Sequence, residues 1–115
     1  MKIVCYVEPF PPGPIDRNSS DFHPEHLYIS WEKPANDTRV SHYYVTIDEW
    51  SSWTDSNATN KHWPRRLRPG ENYTVSIMTY ASYPYYHYCY YGNCGSKLHQ
   101  EQITTLSEIL LFIFH

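Results

Sequence analysis

The sequence predicts an all-β protein, an antiparallel β-sandwich of about seven strands. Two observations carry this prediction. Helical periodicity is absent almost everywhere, and short segments of alternating polarity are separated by stretches rich in turn-forming residues. Tyrosine contributes 12 of the 115 residues, and aromatic side chains favour pleated, half-buried surfaces.

The first two predicted strands lie at residues 27–31 and 43–47. In the first, Leu27, Ile29 and Trp31 occupy alternate positions and therefore share one face. In the second, the same alternation leaves open which face is inward, because adjacent tyrosines occupy both faces.

The strand at residues 73–79 has the clearest pattern, with Tyr73 beginning a face of apolar residues at every second position. A last, weakly patterned strand is predicted near residues 97–106. Residues 55–66 are hard to interpret, but Pro64 indicates that any strand there lies at a sheet edge.

The charge and the cysteine count exclude several classes of protein. A formal net charge of −3 gives no reason to expect a nucleic acid or an anionic membrane as partner. The cysteines, Cys5, Cys89 and Cys94, are too few for a disulfide-rich miniprotein and form no paired CxxC motifs for zinc. The histidines are dispersed, and His23 and His26 lack a convincing third ligand. We therefore expect no metal and no cofactor.

Both ends of the chain carry short apolar segments. Residues 1–7 are too short for the hydrophobic region of a signal peptide, and Glu8 and Pro9 follow at once. Residues 109–114 fall far below the ~20 residues that span a bilayer. This second run either begins a membrane helix that the sequence cuts off or is an artefact of gene prediction.

Three segments together resemble the fibronectin type III family. Residues 11–15, Pro-Pro-Gly-Pro-Ile, resemble the proline-rich start of such a domain. Residues 29–34 resemble the end of its second strand, where the family keeps the core tryptophan, here Trp31. Residues 67–75 closely match the family signature L-x-P-G-x-x-Y-x-V. The resemblance covers residues 11–106.

The resemblance implies a specific core and corner. Trp31, Leu67 and Tyr73 are expected to be buried between the sheets, with the Tyr73 hydroxyl bonded to upstream backbone. Replacing Tyr73 would then leave a buried carbonyl without a donor, at a cost of about 1–3 kcal/mol. An immunoglobulin domain would instead need a tryptophan on its third strand and a cysteine pair joining the sheets, which these strands lack.

The resemblance also implies a domain organisation. Residues 11–106 are the fibronectin type III-like domain, residues 1–10 are a linker or the tail of a preceding similar domain, and residues 107–115 are an apolar C-terminal tail. The chain would then be a slice of a tandem array, with neighbouring domains of the same family as partners. On this interpretation Cys5 has lost its partner with the preceding domain.

Four N-x-S/T sequons indicate a secreted, glycosylated protein. Chance gives roughly one such triplet per 150–200 residues at average composition, so four in 115 residues is an excess. Alternation along the predicted strand points the last of them outward, opposite Tyr73. The sequons begin at Asn18, Asn36, Asn57 and Asn72.

Residues 80–94 are unusually rich in tyrosine, and in the family fold they form the end of the sixth strand and the following F–G loop. Tyrosine supplies large, rigid contact area at low entropic cost. Because so many rings cannot all be buried in a small core, we expect a protein-binding loop, although the rings could instead cover their own hairpin. The loop tyrosines are Tyr83, Tyr85, Tyr86, Tyr88, Tyr90 and Tyr91.

We expect Cys89 and Cys94 to form a disulfide that closes the tip of this loop. Gly92 and Asn93 between them suit positive φ and allow the chain to reverse. Facing positions on an antiparallel hairpin bring Cβ atoms within disulfide reach. Such a bridge would hold the tyrosines in a fixed presentation and lower the ordering cost of binding.

The segment Trp-Ser-Ser-Trp at residues 50–53 resembles two known motifs. We reject the W-S-x-W-S box of cytokine receptors, because that box precedes the last strand, whereas this segment follows the third. The W-x-x-W spacing also resembles a tryptophan C-mannosylation signal. The alternative is that two aromatic side chains pack on a sheet edge.

Four basic side chains lie close to Trp63 in the sequence. A heparin-like glycosaminoglycan could bind such a patch, and the alternative is a solvated turn balanced by nearby acidic residues. The four are Lys61, Arg65, Arg66 and Arg68.

These observations favour a non-catalytic extracellular module, used for protein binding or as a spacer in a membrane-anchored or secreted receptor or adhesion protein. The sequence contains no G-x-S-x-G elbow and no phosphate-binding glycine loop, so we expect no enzyme activity. The alternatives are an ectodomain fragment of a modular enzyme, such as a receptor-type tyrosine phosphatase, or a free-standing secreted ligand.

Overall fold

A computed structural model describes residues 4–5, 9–35, 40–82, 89–90 and 93–110. The protein is an all-β sandwich of two antiparallel sheets, which confirms the predicted fold class. Within the described ranges, helix occurs only as a short turn at residues 108–110. The strands are β1 (Val4–Cys5), β2 (Tyr28–Ser30), β3 (His42–Ile47), β4 (Trp50–Trp53), β5 (Asn60–His62), β6 (Asn72–Ser82), β7 (Cys89–Tyr90), β8 (Asn93–Gly95) and β9 (His99–Thr104).

The smaller sheet pairs β2 with β5. A bridge between Ile15 and Trp31 adds the segment after the proline-rich start to the edge of this sheet. Trp31 also donates its amide to the Thr59 carbonyl, at 3.0 Å, which continues the pairing beyond β2. The tryptophan is thereby held between two neighbouring chain segments.

The larger sheet has five strands and is centred on β6. The order is β4–β3–β6–β8, and β9 also pairs with β6. Since β3 occupies one edge of β6, β8 and β9 share the other edge and act as one interrupted strand. Ser96 lies in the interruption, where it accepts a hydrogen bond from the Thr79 amide through its hydroxyl and donates its own amide to the Thr79 carbonyl, both at 2.9 Å.

The core lies between the two sheets and is built from alternate positions of the strands. Trp31 meets Tyr43 edge-on, with ring centroids 5.1 Å apart. Burial raises the pKa of the Tyr43 phenol, against a smaller opposite effect from Trp31. The buried cluster consists of Ile15, Leu27, Ile29, Trp31, Tyr43, Val45, Ile47, Trp63, Leu67, Tyr73, Val75, Ile77 and Ile103.

The chain turns from the smaller sheet to the larger one at residues 67–73. The amide of buried Leu67 donates to the Pro24 carbonyl at 2.7 Å, and Gly70 turns the chain with a positive φ of 66°. The Tyr73 hydroxyl accepts a hydrogen bond from the Arg68 amide at 2.8 Å. The expectation of an orphaned carbonyl was wrong in this detail: the upstream group that Tyr73 satisfies is a backbone N–H.

The other side of this corner is fastened by Thr105, which is buried at the end of β9. Its hydroxyl donates to the Arg68 carbonyl at 2.6 Å and accepts from the Glu71 amide at 3.2 Å. Both backbone groups of Arg68 are therefore bonded to side chains from the larger sheet or its extension.

Glu101 of β9 joins the first and last parts of the sandwich. Its Oε2 accepts from the Ile15 amide at 2.6 Å and lies 2.7 Å from His99 Nε2. Its Oε1 accepts from Arg17 at 3.1 Å, and the same guanidinium donates to the Gln102 carbonyl. Desolvation acts to raise the pKa of Glu101, but the bonds from Ile15, His99 and Arg17 together lower it.

The strands at the N-terminal end and in the tyrosine-rich region form a separate small ladder. Val4 pairs with Tyr90, and Cys5 pairs with Cys89, in antiparallel register. Residues 4–5 therefore pair with β7 in the segment that follows β6.

Tyr73→Phe tests the corner. We expect a loss of about 1–3 kcal/mol in the free energy of unfolding, because the Arg68 amide loses its acceptor. Urea denaturation measures this loss. Tyr44→Phe, on the opposite face of the larger sheet, is the matched control and should unfold like the parent; equal stability of Tyr73→Phe and the parent would contradict the role of the bond.

Glu101→Gln tests the contact between the ends of the sandwich. Because the folded pKa lies below the unfolded value of about 4.3, the carboxylate stabilises the fold above that pH, and the stabilisation is lost as the pH falls through the folded pKa. The variant should therefore be less stable than the parent at neutral pH and should converge with it in acid. Denaturant midpoints across this range measure the difference, with exposed Glu49→Gln as control. A difference independent of pH would contradict the ionic role.

Candidate functional site

Four aromatic side chains form a cluster on the outer face of the larger sheet, and we call it the outer aromatic cluster. Its members come from three adjacent strands: His42 and Tyr44 from β3, Trp53 from β4 and Tyr80 from β6. Register brings them together, because Tyr44 pairs with Trp53 and His42 pairs with Tyr80. Alternation turns all four away from the core.

Trp53 is the centre of the cluster. Its ring centroid lies 4.4 Å from that of Tyr44, 4.8 Å from that of Tyr80 and 4.9 Å from that of His42. Two of these contacts are edge-on, and His42 stacks on Tyr80 at 5.3 Å. These are favourable aromatic geometries, so each ring limits the movement of the others.

The cluster remains open to solvent above the indole. Trp53 is 44% exposed, whereas the other three rings are half-buried. A large aromatic side chain exposed in a fixed orientation is typical of a contact surface. Next to it, Gly95 leaves room for Tyr80 and Met78, since a Cβ at this position would lie 2.9 Å from the Met78 sulfur and 3.2 Å from the Tyr80 ring.

The imidazole of His42 has a perturbed pKa. Desolvation among the rings lowers its pKa, so the neutral form is favoured at physiological pH. Its Nδ1 lies 2.9 Å from the Ser41 hydroxyl. A neutral imidazole at this position suits an apolar contact.

The tyrosines predicted as a binding loop fall mostly outside the described residues. Only Tyr90 has a described backbone, paired with Val4 in the small ladder. β6 ends at Ser82, directly before Tyr83, and Tyr80 lies two residues before that end, so the outer aromatic cluster lies beside the base of the loop. The predicted loop residues that lie outside the described residues are Tyr83, Tyr85, Tyr86, Tyr88 and Tyr91.

The outer aromatic cluster was not predicted from the sequence. Tyr44 and Trp53 were each visible in an aromatic pair, as Tyr43-Tyr44 and as W-x-x-W. The available signal was the period of two, which places one member of each pair on the outer face. Strand register, which the sequence alone does not show, then decides that these positions meet.

Cys94 is disulfide-bonded and buried beside Ala81. Because the chain has only three cysteines, its partner is Cys5 or Cys89. Those two residues are direct partners across the small ladder, and their side chains lie outside the described part. The pairing of Cys89 with Cys94 stays a prediction.

Three of the four sequon asparagines are exposed. Asn18 lies in a turn, Asn57 in the loop after β4, and Asn72 at the start of β6. The Asn72 side-chain oxygen accepts a hydrogen bond from the Thr104 hydroxyl. Nδ2, the atom that carries an N-glycan, takes no part in this bond. Asn36 lies outside the described residues.

The two tryptophans of the W-x-x-W segment point to opposite sides of β4. Trp50 packs against the core, and the Arg65 guanidinium lies 5.2 Å from its ring centroid, a cation–π contact. Trp53 belongs to the outer aromatic cluster. Arg65 comes from the loop after β5.

The four basic residues near Trp63 have different contacts, and two of them, Arg66 and Arg68, line one cleft. Trp63 itself is buried. Lys61 donates to the Trp53 carbonyl at 3.0 Å, Arg65 lies over Trp50, and Arg66 lies 3.9 Å from Glu25. A glycosaminoglycan site at these residues stays a prediction.

A cleft of about 310 Å³ lies between the β3–β4 turn and the corner at residues 67–73. Its wall combines the Trp50 indole with carboxylates and guanidinium groups. Asp48 lines the cleft from the β3–β4 turn, where its φ is 51°. Its Oδ1 accepts a hydrogen bond from the Thr74 amide at 2.8 Å, which holds the residue in this conformation. The lining residues are Asp48, Glu49, Trp50, Arg66, Leu67, Arg68, Glu71, Asn72 and Tyr73.

His23 and His26 stack with ring centroids 5.1 Å apart. Among the described residues, no group of three or more histidine, cysteine or acidic side chains is arranged to hold a metal ion. No helix in that part of the chain is long and apolar enough to cross a membrane.

No protein-family model matches the chain, and no curated protein matches it significantly.

The His42 pKa provides a test of the outer aromatic cluster. Because desolvation lowers this pKa, the ring should protonate below the ordinary value of about 6.5, and the fold should lose stability as the pH falls through that region. NMR titration of the imidazole protons measures the midpoint. Trp53→Ala opens the cluster and should raise the midpoint toward the ordinary value. A parent midpoint at or above that value would contradict the packing described for His42.

Proposed function

We propose that the chain is a fibronectin type III-like, extracellular, non-catalytic module that binds a protein partner through the outer aromatic cluster and the adjoining tyrosine-rich loop. The observation that carries the proposal is the exposed Trp53 indole, held by three other rings beside the base of that loop. The module belongs to a cell-surface receptor or adhesion protein.

The family assignment is supported by residues that perform the roles the resemblance implies. Trp31 is buried between the sheets beside Tyr43. Leu67 enters the core, Gly70 turns the chain, and Tyr73 closes the corner on the Arg68 amide. The arrangement of a small sheet against a five-stranded one is consistent with such a domain.

The binding role is supported by the physical character of the cluster. Tryptophan and tyrosine are enriched among residues that dominate binding energy, because they bury large areas with few rotatable bonds. In this cluster the rings are ordered by each other before any partner arrives, which reduces the entropy lost on association. The lowered pKa of His42 keeps the surface neutral, so desolvating it costs little.

The extracellular placement is supported by the exposed sequons and by the disulfide at Cys94. Asn18, Asn57 and Asn72 are accessible, as glycan attachment requires. Structural disulfides form and persist mainly in oxidising compartments.

Trp53→Ala tests the proposal. A multimerised form of the secreted chain should bind intact cells saturably, and the variant should bind at least about tenfold more weakly, because truncation removes the central contact of the surface. Flow cytometry across a panel of cell types measures the binding. Protease treatment of the cells should abolish it, as expected for a protein partner.

Gln102→Ala is the matched control, since Gln102 is exposed on the outer face of β9, away from the cluster. It should bind like the parent, and thermal melting should show that both variants are folded. Equal binding by Trp53→Ala and the parent would contradict the proposal. Binding that survives protease but disappears when cell-surface glycans are removed would assign the surface to a carbohydrate.

A further inference from the structure

We infer that Trp50 is a C-mannosylation site and that its mannose is seated in the cleft beside the β3–β4 turn. This inference rests on the proposed extracellular placement, because the modification requires passage through the secretory pathway. Of the W-x-x-W segment, only Trp53 belongs to the outer aromatic cluster, and the inference gives Trp50 a role as well.

The sequence supplies the signal. Trp50 and Trp53 are spaced as W-x-x-W, in which the first tryptophan is the acceptor. The donor class is a polyprenyl-phosphate mannose, used by a membrane-bound mannosyltransferase. A carbon–carbon bond forms between mannose C1 and Cδ1 of the Trp50 indole, the bond from C1 to the phosphate oxygen breaks, and the Cδ1 proton is lost to a base. The reaction changes no oxidation state that would need another reagent.

The fold separates the acceptor from the second tryptophan. Trp50 and Trp53 alternate across β4, so Trp50 lines the cleft while Trp53 lies in the outer aromatic cluster. In the described part of the larger sheet, β4 pairs with β3 alone and therefore forms an edge. A sugar on Trp50 does not need to displace a neighbouring strand.

The cleft has the size and chemistry that a hexose requires. Its volume of about 310 Å³ corresponds to roughly ten water molecules at the density of the liquid. Asp48, Glu49 and Glu71 offer acceptors to sugar hydroxyls, and Arg66 and Arg68 offer donors. Charged groups make the stronger hydrogen bonds of this kind.

Arg65 completes the arrangement from above the indole. Its guanidinium lies 5.2 Å from the Trp50 ring centroid, a cation–π contact that holds the ring in place, and Arg65 is not among the residues that line the cleft. Trp50 remains half-buried. The tryptophan is therefore held by core packing and by a cation, and it lines the cleft together with polar and charged residues.

The test is peptide mapping by mass spectrometry of the full chain secreted from two matched hosts, one with and one without the C-mannosyltransferase. We expect the Trp50 peptide to carry one hexose in the first host only, and the hexose to resist glycosidases because it is held by a carbon–carbon bond. Trp50→Phe should abolish it. Trp53→Ala should reduce it at least about tenfold by removing the second tryptophan of the signal, whereas Ser52→Ala should leave it unchanged. If Trp53→Ala is not secreted, the comparison of hosts decides the question alone.

The N-glycans separate the two proposals. N-glycan on Asn18, Asn57 or Asn72 with an unmodified Trp50 in the competent host would overturn the inference and leave the extracellular placement standing. If neither the N-glycans nor the Trp50 hexose is found, both the extracellular placement and the C-mannosylation inference are overturned. Thermal melting of the modified and unmodified forms tests the seating: the modified form should melt at the same or a higher temperature, and a lower melting temperature would show that the cleft does not accommodate the sugar.

Discussion

The alternation of side chains along β6 is the constraint on which the rest of the structure depends. Tyr73, Val75 and Ile77 point into the core, whereas Asn72 and Tyr80 point to the outer face. Because β6 pairs with β3 along one edge and with β8 and β9 along the other, it sets the register of every long strand in the larger sheet. A slip of one residue would exchange the two faces and lose the core and the outer aromatic cluster together.

The two ends of β6 are fixed by different means, and the difference suits their surroundings. At the start, the Tyr73 hydroxyl and the Asp48 carboxylate bind backbone amides, so the strand begins in a network of directed bonds. Toward the far end, Ser96 replaces a regular ladder pair opposite Thr79. The edge strand there is interrupted between β8 and β9. Hydrogen bonds therefore fix the start of β6, whereas aromatic contacts fix the far end, which carries the proposed binding surface.

The fold class could be predicted because the two best-patterned strands have one face buried and one face exposed to solvent, which makes apolar and polar residues alternate along the sequence. The segment predicted at residues 73–79 became β6, and that at 43–47 became β3, each slightly longer than the pattern. The short strands β4 and β5 were not predicted, because at sheet edges their alternation involves polar and half-buried residues. The corner was foreseeable from its signature, but the direction of the Tyr73 bond depended on which backbone group faced the ring.

The Glu101 contact has a mechanical consequence. Its carboxylate binds Ile15 and Arg17 from the beginning of the sandwich, while Glu101 itself belongs to the last strand. A force that separates residues 15–17 from β9 must therefore break these bonds to the Glu101 carboxylate. Resistance to extension at this point is electrostatic, and it therefore weakens with salt and with acid, whereas the apolar core behind it does not depend on charge.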